Sequence, residues 1–167
     1  MRYLLSVFIL FCLCSTSFAL AGNRKVILLE TMPVPVVTEH SDAIVQTFKE
    51  QGFLNSNGIE LEILKAEGSK ERAVELLKKS VALRRPDLVI SIASLASQAA
   101  VETLTGTNIP ILFCVVSDPV GSGIVNELRV ASGSNVSGVV FAQQRDTKVE
   151  MVMRLLKLSE NDPIKKI

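Results

Sequence analysis

The stretch from Pro110 to Gly121 (PILFCVVSDPVG) restricts the fold of this chain more than any other. Apolar residues run without interruption from Ile111 to Val116 and stop abruptly at Ser117-Asp118-Pro119. An unbroken apolar run offers no face to water, which is how a strand of a parallel sheet reads when helices cover both of its faces. Its polar end marks the carboxyl edge of the sheet, outside which ligands collect in open α/β folds. The Ser-Asp-Pro corner is therefore both a structural boundary and the first candidate for chemistry.

The rest of the chain alternates strand and helix patterns. Lys25 to Glu30 reads as a buried first strand, ended by Pro33 and Pro35, which cannot extend a ladder. From about Glu39 the period becomes helical, with Ile44, Val45 and Phe48 on one face and a stop at Gly52-Phe53. Ile59 to Leu64 alternates apolar and acidic residues, the signature of an edge strand with one wet face. Ser69 opens a second helix, with Ala73, Val74, Leu77 and Val81 inward, Lys78, Lys79, Arg84 and Arg85 toward its C-terminal half, and Pro86 as its stop. Asp87 to Ile92 is a third strand, and Ala93-Ser94 opens an alanine-rich helix running to about Leu104. A fifth strand is expected from Val136 to Phe141, and a last helix from about Thr147 to Leu158. This order predicts a doubly wound α/β domain with a parallel sheet. The alternating second strand belongs outside and the apolar first, third and fourth inside, which gives the order 2-1-3-4-5.

The N-terminus narrows the setting. Arg2, a short apolar run from Leu4 to Cys14 and the small-residue site Ala19-Leu20-Ala21 predict a secretory signal peptide over 1–21, cleaved near Ala21. A membrane anchor needs about 20 apolar residues, more than this run supplies. Bulky residues before Cys12 and Cys14 argue against a lipoprotein cleavage box. The expected location is thus periplasmic or extracellular. The full chain has 18 basic and 17 acidic residues, and removing Arg2 leaves 17 against 17. A neutral surface without a basic tract argues against nucleic acid or an anionic membrane as the main partner. Of three cysteines only Cys114 would remain, so stability must come from the core rather than from an internal disulfide.

Three loops are expected to meet at the carboxyl edge: Thr31-Met32-Pro33, Ala93-Ser94-Leu95-Ala96 and Ser117-Asp118-Pro119. The middle one lies at a helix start, where free N–H groups favour an anion such as a carboxylate. Ser94 reads as an N-cap, as a ligand contact, or as both. Asp118 either starts a turn or accepts hydrogen bonds from a ligand ammonium. Met32 and Pro33 form an apolar wall for a ligand or simply cover the sheet edge. His40, with Glu39 and Asp42 beside it, reads as an exposed residue near a helix start rather than a metal ligand, and no metal site is expected. Cys114 reads as a buried small hydrophobe. Gly121-Ser122-Gly123 lacks the third glycine and the position of a dinucleotide loop, and Asn135-Val136-Ser137 is a glycosylation match of the kind chance often produces. No cofactor is expected. One histidine and one cysteine do not assemble a nucleophile–base pair, which leaves an exported hydrolase or redox enzyme without support.

Several segments together carry a resemblance. They are Gly52-Phe53, Arg85-Pro86-Asp87-Leu88-Val89, Ile109-Pro110-Ile111-Leu112-Phe113, Asp118-Pro119-Val120 with Gly123-Ile124-Val125, and Gly133-Ser134-Asn135-Val136-Ser137-Gly138. In these the chain resembles the first lobe of bacterial ABC-transporter substrate-binding proteins of the tryptophan/tyrosine type. The resemblance implies a periplasmic-binding-protein type I-like lobe over 22–160. It also implies a small ligand, often an aromatic amino acid, and a membrane ABC permease as partner. Carried over by position, the loop at Ser94 to Ala96 would hold the ligand carboxylate, while Thr31 and Asp118 would position its polar groups. Ala93-Ser94 departs from the family's Gly-Thr, which keeps a hydroxyl but alters the turn. Residues 161–167 then read as the start of a crossover to a second lobe. An extracytoplasmic sensor lobe that reports ligand occupancy to a signalling partner is the alternative to an importer component.

Overall fold

Val26 to Glu30 are all buried, so the strand that carries them needs cover on two sides and a hydrogen-bonded neighbour on each edge. A computed structural model of the chain, which describes residues 23–54, 58–129 and 133–141, supplies all four. In chain order the elements are β1 Arg24–Glu30, α1 Pro35–Glu50, β2 Ile59–Lys65, α2 Lys70–Leu83, β3 Leu88–Ile92, α3 Ser94–Leu104, β4 Ile111–Val116 and β5 Val136–Val140. The strands form one parallel sheet in the order β2-β1-β3-β4-β5, the arrangement that the sequence patterns predict. The signal peptide, the last helix and the terminal run from Pro163 lie outside the described residues.

Two apolar clusters sandwich the sheet. On one face Ile27, Leu29, Val89, Ile111 and Phe113 pack against Ala73 and Leu77 of α2 and against Ala96, Ala99, Ala100 and Leu104 of α3. The alanines of α3 are fully buried, so this helix lies close on the sheet because its side chains are short. On the other face Val26, Leu28, Ile90 and Ile92 meet Val37, with Ile44, Val45 and Phe48 of α1 around them. Edge strand β2 is the less covered strand its position predicts, but its alternation does not hold to the end: Ile63 is exposed, while Leu64, on the same face as Glu60 and Glu62, is buried.

The helix ends follow local chemistry. α1 begins at Pro35, about four residues before the expected start near Glu39. The prolines do end β1, but Pro35 also has the fixed φ and missing N–H that suit a first helical position. The helix stops as expected: Gly52 takes φ 70°, its N–H bonds Lys49, the Phe53 N–H bonds the Phe48 carbonyl, and the Phe48 and Phe53 rings meet edge to face at 5.9 Å. Ser69 caps α2 by accepting from the Arg72 N–H at 3.1 Å. The last turn of α2 holds no basic residue, because Lys78 and Lys79 come before it and the helix ends at Leu83. Gly138 is required by crowding, since a Cβ there would collide with the carbonyl and ring of Phe113.

One ionised side chain is buried at the opposite, amino edge. Lys25 is only 4% exposed, so its ammonium must be fully partnered. It donates to the Ser80 hydroxyl at 2.8 Å and to the Ser80 and Arg84 carbonyls, and it pairs with Glu62 at 2.7 Å. The Lys25 backbone N–H reaches Asp87 at 2.8 Å. These contacts tie the start of β1 to β2, α2 and the turn into β3. Burial pushes the Glu62 carboxyl up, but hydrogen bonds from Lys25 and Ser80 with the Lys25 charge outweigh it and hold the group below the usual range. A carboxyl depressed by folding contributes stability that is present above its unfolded pKa, about 4.3, and is lost as pH falls through the folded value. Urea unfolding between pH 7 and pH 3 is expected to show a midpoint that falls below about pH 4.3. The fall should be shallower in Lys25→Met, and equal acid slopes in the two proteins would show that this pair does not carry the effect.

Candidate functional site

Parallel pairing puts the carboxyl ends of β1, β3 and β4 side by side: Glu30 lies opposite Ile92, and Ile92 opposite Cys114. The segments at 31–33, 93–96 and 115–118 therefore share one rim. Their exposure differs. Thr31 and Ala96 are buried, Met32, Ser94 and Leu95 half-buried, and Ser117 and Asp118 exposed. Ala96, expected at the site, is instead fully enclosed in the core and offers no surface to a ligand, because its short side chain packs against the sheet.

The start of α3 differs from the expected cap. Ala93, not Ser94, takes the N-cap position, and Ser94 is the first helical residue, without a capping hydrogen bond. The first intrahelical bond runs from the Ser97 N–H to the Ala93 carbonyl, which leaves the N–H groups of Ser94, Leu95 and Ala96 without an intrahelical acceptor. Ala93 adopts φ 71° and ψ 168°, a region essentially reserved for glycine. It is held there by its own N–H to the Cys114 carbonyl at 2.9 Å and by the Ser97 hydroxyl donating to its carbonyl at 2.9 Å. The departure from Gly-Thr thus puts a side chain where the backbone geometry of a glycine persists.

A second irregularity faces it across β4. Val115 has φ 58°, a rare conformation for a β-branched residue, and the pairing of β4 with β5 shifts register between Phe113 and Val116. This bulge re-aims the exit of β4 toward Ser117 and Asp118. Asp118 does act as a turn residue: its Oδ1 accepts from the Gly121 N–H at 2.8 Å, and its carboxylate fills the space a Cβ on Gly121 would need. The Gln98 side chain donates to the Ser122 carbonyl at 2.9 Å, which ties α3 to the same loop.

The rim opens on one side into a cleft of about 260 Å³ between the ends of β1 and β2. Glu30, Thr31, Met32 and Pro33 form one wall, Lys65 and Glu67 the other, and Thr38 of α1 closes it. Thr31 and Met32 among the expected residues line it, whereas Ser94, Leu95, Ala96, Ser117 and Asp118 do not. Glu30, Thr38, Lys65 and Glu67 escaped the sequence reading; the one available signal was a carboxylate closing an otherwise apolar strand.

The residues set aside above hold other places. His40 sits inside α1 rather than near its start, half-buried, with Nδ1 2.7 Å from the Val36 carbonyl and its ring edge-on to Phe141. Cys114 is half-buried, and burial pushes its thiol up, away from the reactive thiolate. The Asn135 amide donates to the Leu104 and Ile109 carbonyls, so it braces the β5 approach and is engaged where a glycan would need it free. Among the described residues no group of three or more His, Cys, Asp or Glu side chains could hold a metal ion.

Residues 25–160 match the family described as ABC transporter substrate binding protein. The chain belongs to that family. A tyrosine-binding protein of Clostridioides difficile (strain R20291) is 26% identical over 121 residues, which cover 72% of this chain and 34% of that protein. A conserved domain protein of Vibrio cholerae superposes with a TM-score of 0.73 at 26% identity, over 81% of this chain and 45% of the other. A Streptococcus pneumoniae domain solved with L-Trp gives 0.69 at 24% identity, over 79% and 43%, and supports the fold alone. The chain spans about a third of the curated relative and under half of these solved structures.

Replacing Ala93 by glycine removes the Cβ from a conformation that disfavours it, so Ala93→Gly is expected to raise stability by about 1 kcal/mol despite the added unfolded-state freedom. Denaturant unfolding of the two proteins measures this, and a loss of stability would show that the Ala93 side chain contributes more packing than its backbone stores strain.

Proposed function

We propose that residues 22–160 form the first lobe of an exported solute-binding protein of an ABC importer, which binds an amino-acid-like ligand reversibly and without catalysis. The observation that carries this reading is the shared rim, in a chain of this family. The N–H groups of Ser94 and Leu95, the half-buried residues that open α3, favour a carboxylate. Thr31 and the Asp118 carboxylate stand just beyond the ends of the two flanking strands, where they can accept from a ligand ammonium. Met32 supplies apolar surface between them. The tyrosine-binding relative supports an aromatic amino acid as the first ligand to try.

Membership of a substrate-binding family supports a reading without catalysis, as does the state of the two side chains best suited to nucleophilic chemistry. Burial pushes the Cys114 thiol away from the thiolate, and His40 Nδ1 is bonded to the Val36 carbonyl of its own helix. The reading further includes removal of residues 1–21 on export and delivery of ligand to a membrane permease. A single rim leaves one side of a small ligand open, whereas such sites bury most of their ligand, which is why a second lobe is part of the proposal.

Thermal-shift screening of the protein, with whatever its reading frame encodes, against the twenty amino acids tests the assignment. A ligand at a hundred times its Kd adds about 2.7 kcal/mol of stability, enough to raise Tm by several degrees. Ser94→Ala and Asp118→Asn should each weaken the best ligand, the aspartate variant by about tenfold or more because it removes a charge-assisted bond. An unchanged Tm with every amino acid would remove the amino-acid assignment.

A further inference from the structure

The cleft beside the rim holds two buried polar atoms without hydrogen-bond partners. The Thr31 hydroxyl and Glu30 Oε1 are both enclosed and, among the described residues, neither makes a hydrogen bond; they belong to residues 1% and 4% exposed. Such atoms are uncommon in folded proteins and call for an explanation. Lys65 places its ammonium 3.2 Å from Glu30 Oε1, close enough for charge attraction but not aligned as a hydrogen bond. Its side chain is 69% exposed at the end of the edge strand, so it can swing into water freely. Glu67 adds a second carboxylate, paired only loosely with Arg72 at 3.5 Å. The cleft is therefore rich in acceptors around one removable cation.

We propose that this cleft is a seat for a primary alkylammonium, with the Glu30 carboxylate and the Thr31 hydroxyl as acceptors and Lys65 as the internal cation that the ligand displaces. An ammonium carries three donors and no acceptor, which matches Glu30 Oε1, Thr31 Oγ1 and the Glu67 side of the cleft. An anion would face two carboxylates instead. The inference deepens the binding reading above and rests on it for the rest of the ligand. With a carboxylate at the start of α3, the ammonium in the cleft is a distal one, as on a basic amino acid. A volume of about 260 Å³ is room for an aminoalkyl arm rather than for a second domain or a chain.

Isothermal titration of the protein with three probes tests this. L-Lysine carries both groups, L-norleucine the same carbon arm without the ammonium, and cadaverine the ammonium arm without the carboxylate. L-Lysine should bind about tenfold tighter than L-norleucine, the scale of a charge-assisted hydrogen bond. Glu30→Gln should erase that preference, whereas Lys65→Met, which removes the competing cation, should tighten L-lysine several-fold. Circular dichroism checks that Glu30→Gln folds, and Glu67→Gln at the other wall of the cleft, which should weaken L-lysine but not L-norleucine, serves if it does not. Equal binding of L-lysine and L-norleucine, or weaker L-lysine binding in Lys65→Met, overturns the inference and leaves the amino-acid rim standing. Cadaverine binding that depends on Glu30, with no amino acid preferred, upholds the cleft and overturns the rim as an amino-acid seat. No heat from any of the three probes overturns the cleft.

Discussion

The whole arrangement depends on β1 having no face or edge for water. Ile27, Leu28 and Leu29 are fully enclosed, and a strand in that condition must have neighbours on both edges and helices on both faces. Parallel neighbours cannot be joined by tight turns, so each connection becomes a crossover that itself provides the cover. Once the crossovers exist, every strand leaves the sheet on the same side. The rim at 31, 93 and 117 is a consequence of how β1 is buried, before any question of what the rim does.

The same enclosure explains why charge is handled differently at the two ends of the strand. At the amino end Lys25 is taken into the structure with a complete set of partners from β2 and α2, and it acts as a fixed brace. At the carboxyl end Glu30 is buried with a partner that is exposed and imperfectly aligned. One charge is satisfied within the fold; the other is left with capacity to spare. Strand order alone would not separate these two ends, but the partners do.

Much of this was legible in the sequence because it rests on periodicity. The apolar run of β4, the alternation of β2 and the glycine stop of α1 each specify their element through side-chain pattern, and the sheet order follows from which strands can face water. The misses have a common cause in backbone torsions and tertiary neighbours, which pattern does not encode. Pro35 reads as a ladder breaker and is also a first helical residue. Ala93-Ser94 reads as a serine cap, while the torsion that turns the chain sits on the alanine. The bulge at Val115 is invisible inside an apolar run. Glu30 is far in sequence from Lys65 and Glu67, and only the pairing of β1 with β2 brings it to their cleft.

Ala93 and Val115 sit in unfavourable backbone conformations on adjoining segments, each of which costs of the order of 1–3 kcal/mol and persists only when its surroundings over-determine it. Those surroundings are identifiable. The Ala93 N–H bonds the Cys114 carbonyl, Ser97 bonds back to the Ala93 carbonyl, and the Phe141 N–H bonds the Val116 carbonyl at 2.8 Å. The start of α3 and the exit of β4 are thus clamped to each other, and neither can shift without breaking contacts of its neighbour. By contrast, the side chains of Met32, Pro33 and Lys65 are half-buried or exposed, above a backbone tied by the Ala66 N–H to the Glu30 carbonyl at 2.9 Å and the Gly68 N–H to the Thr31 carbonyl. On the binding reading proposed above, the rim divides into a braced half at the start of α3 and a half at the ends of β1 and β2 whose side chains are free to vary. Differences in ligand choice between proteins built on this lobe should concentrate in the latter half, where a side chain can change without disturbing the strained turn beside it.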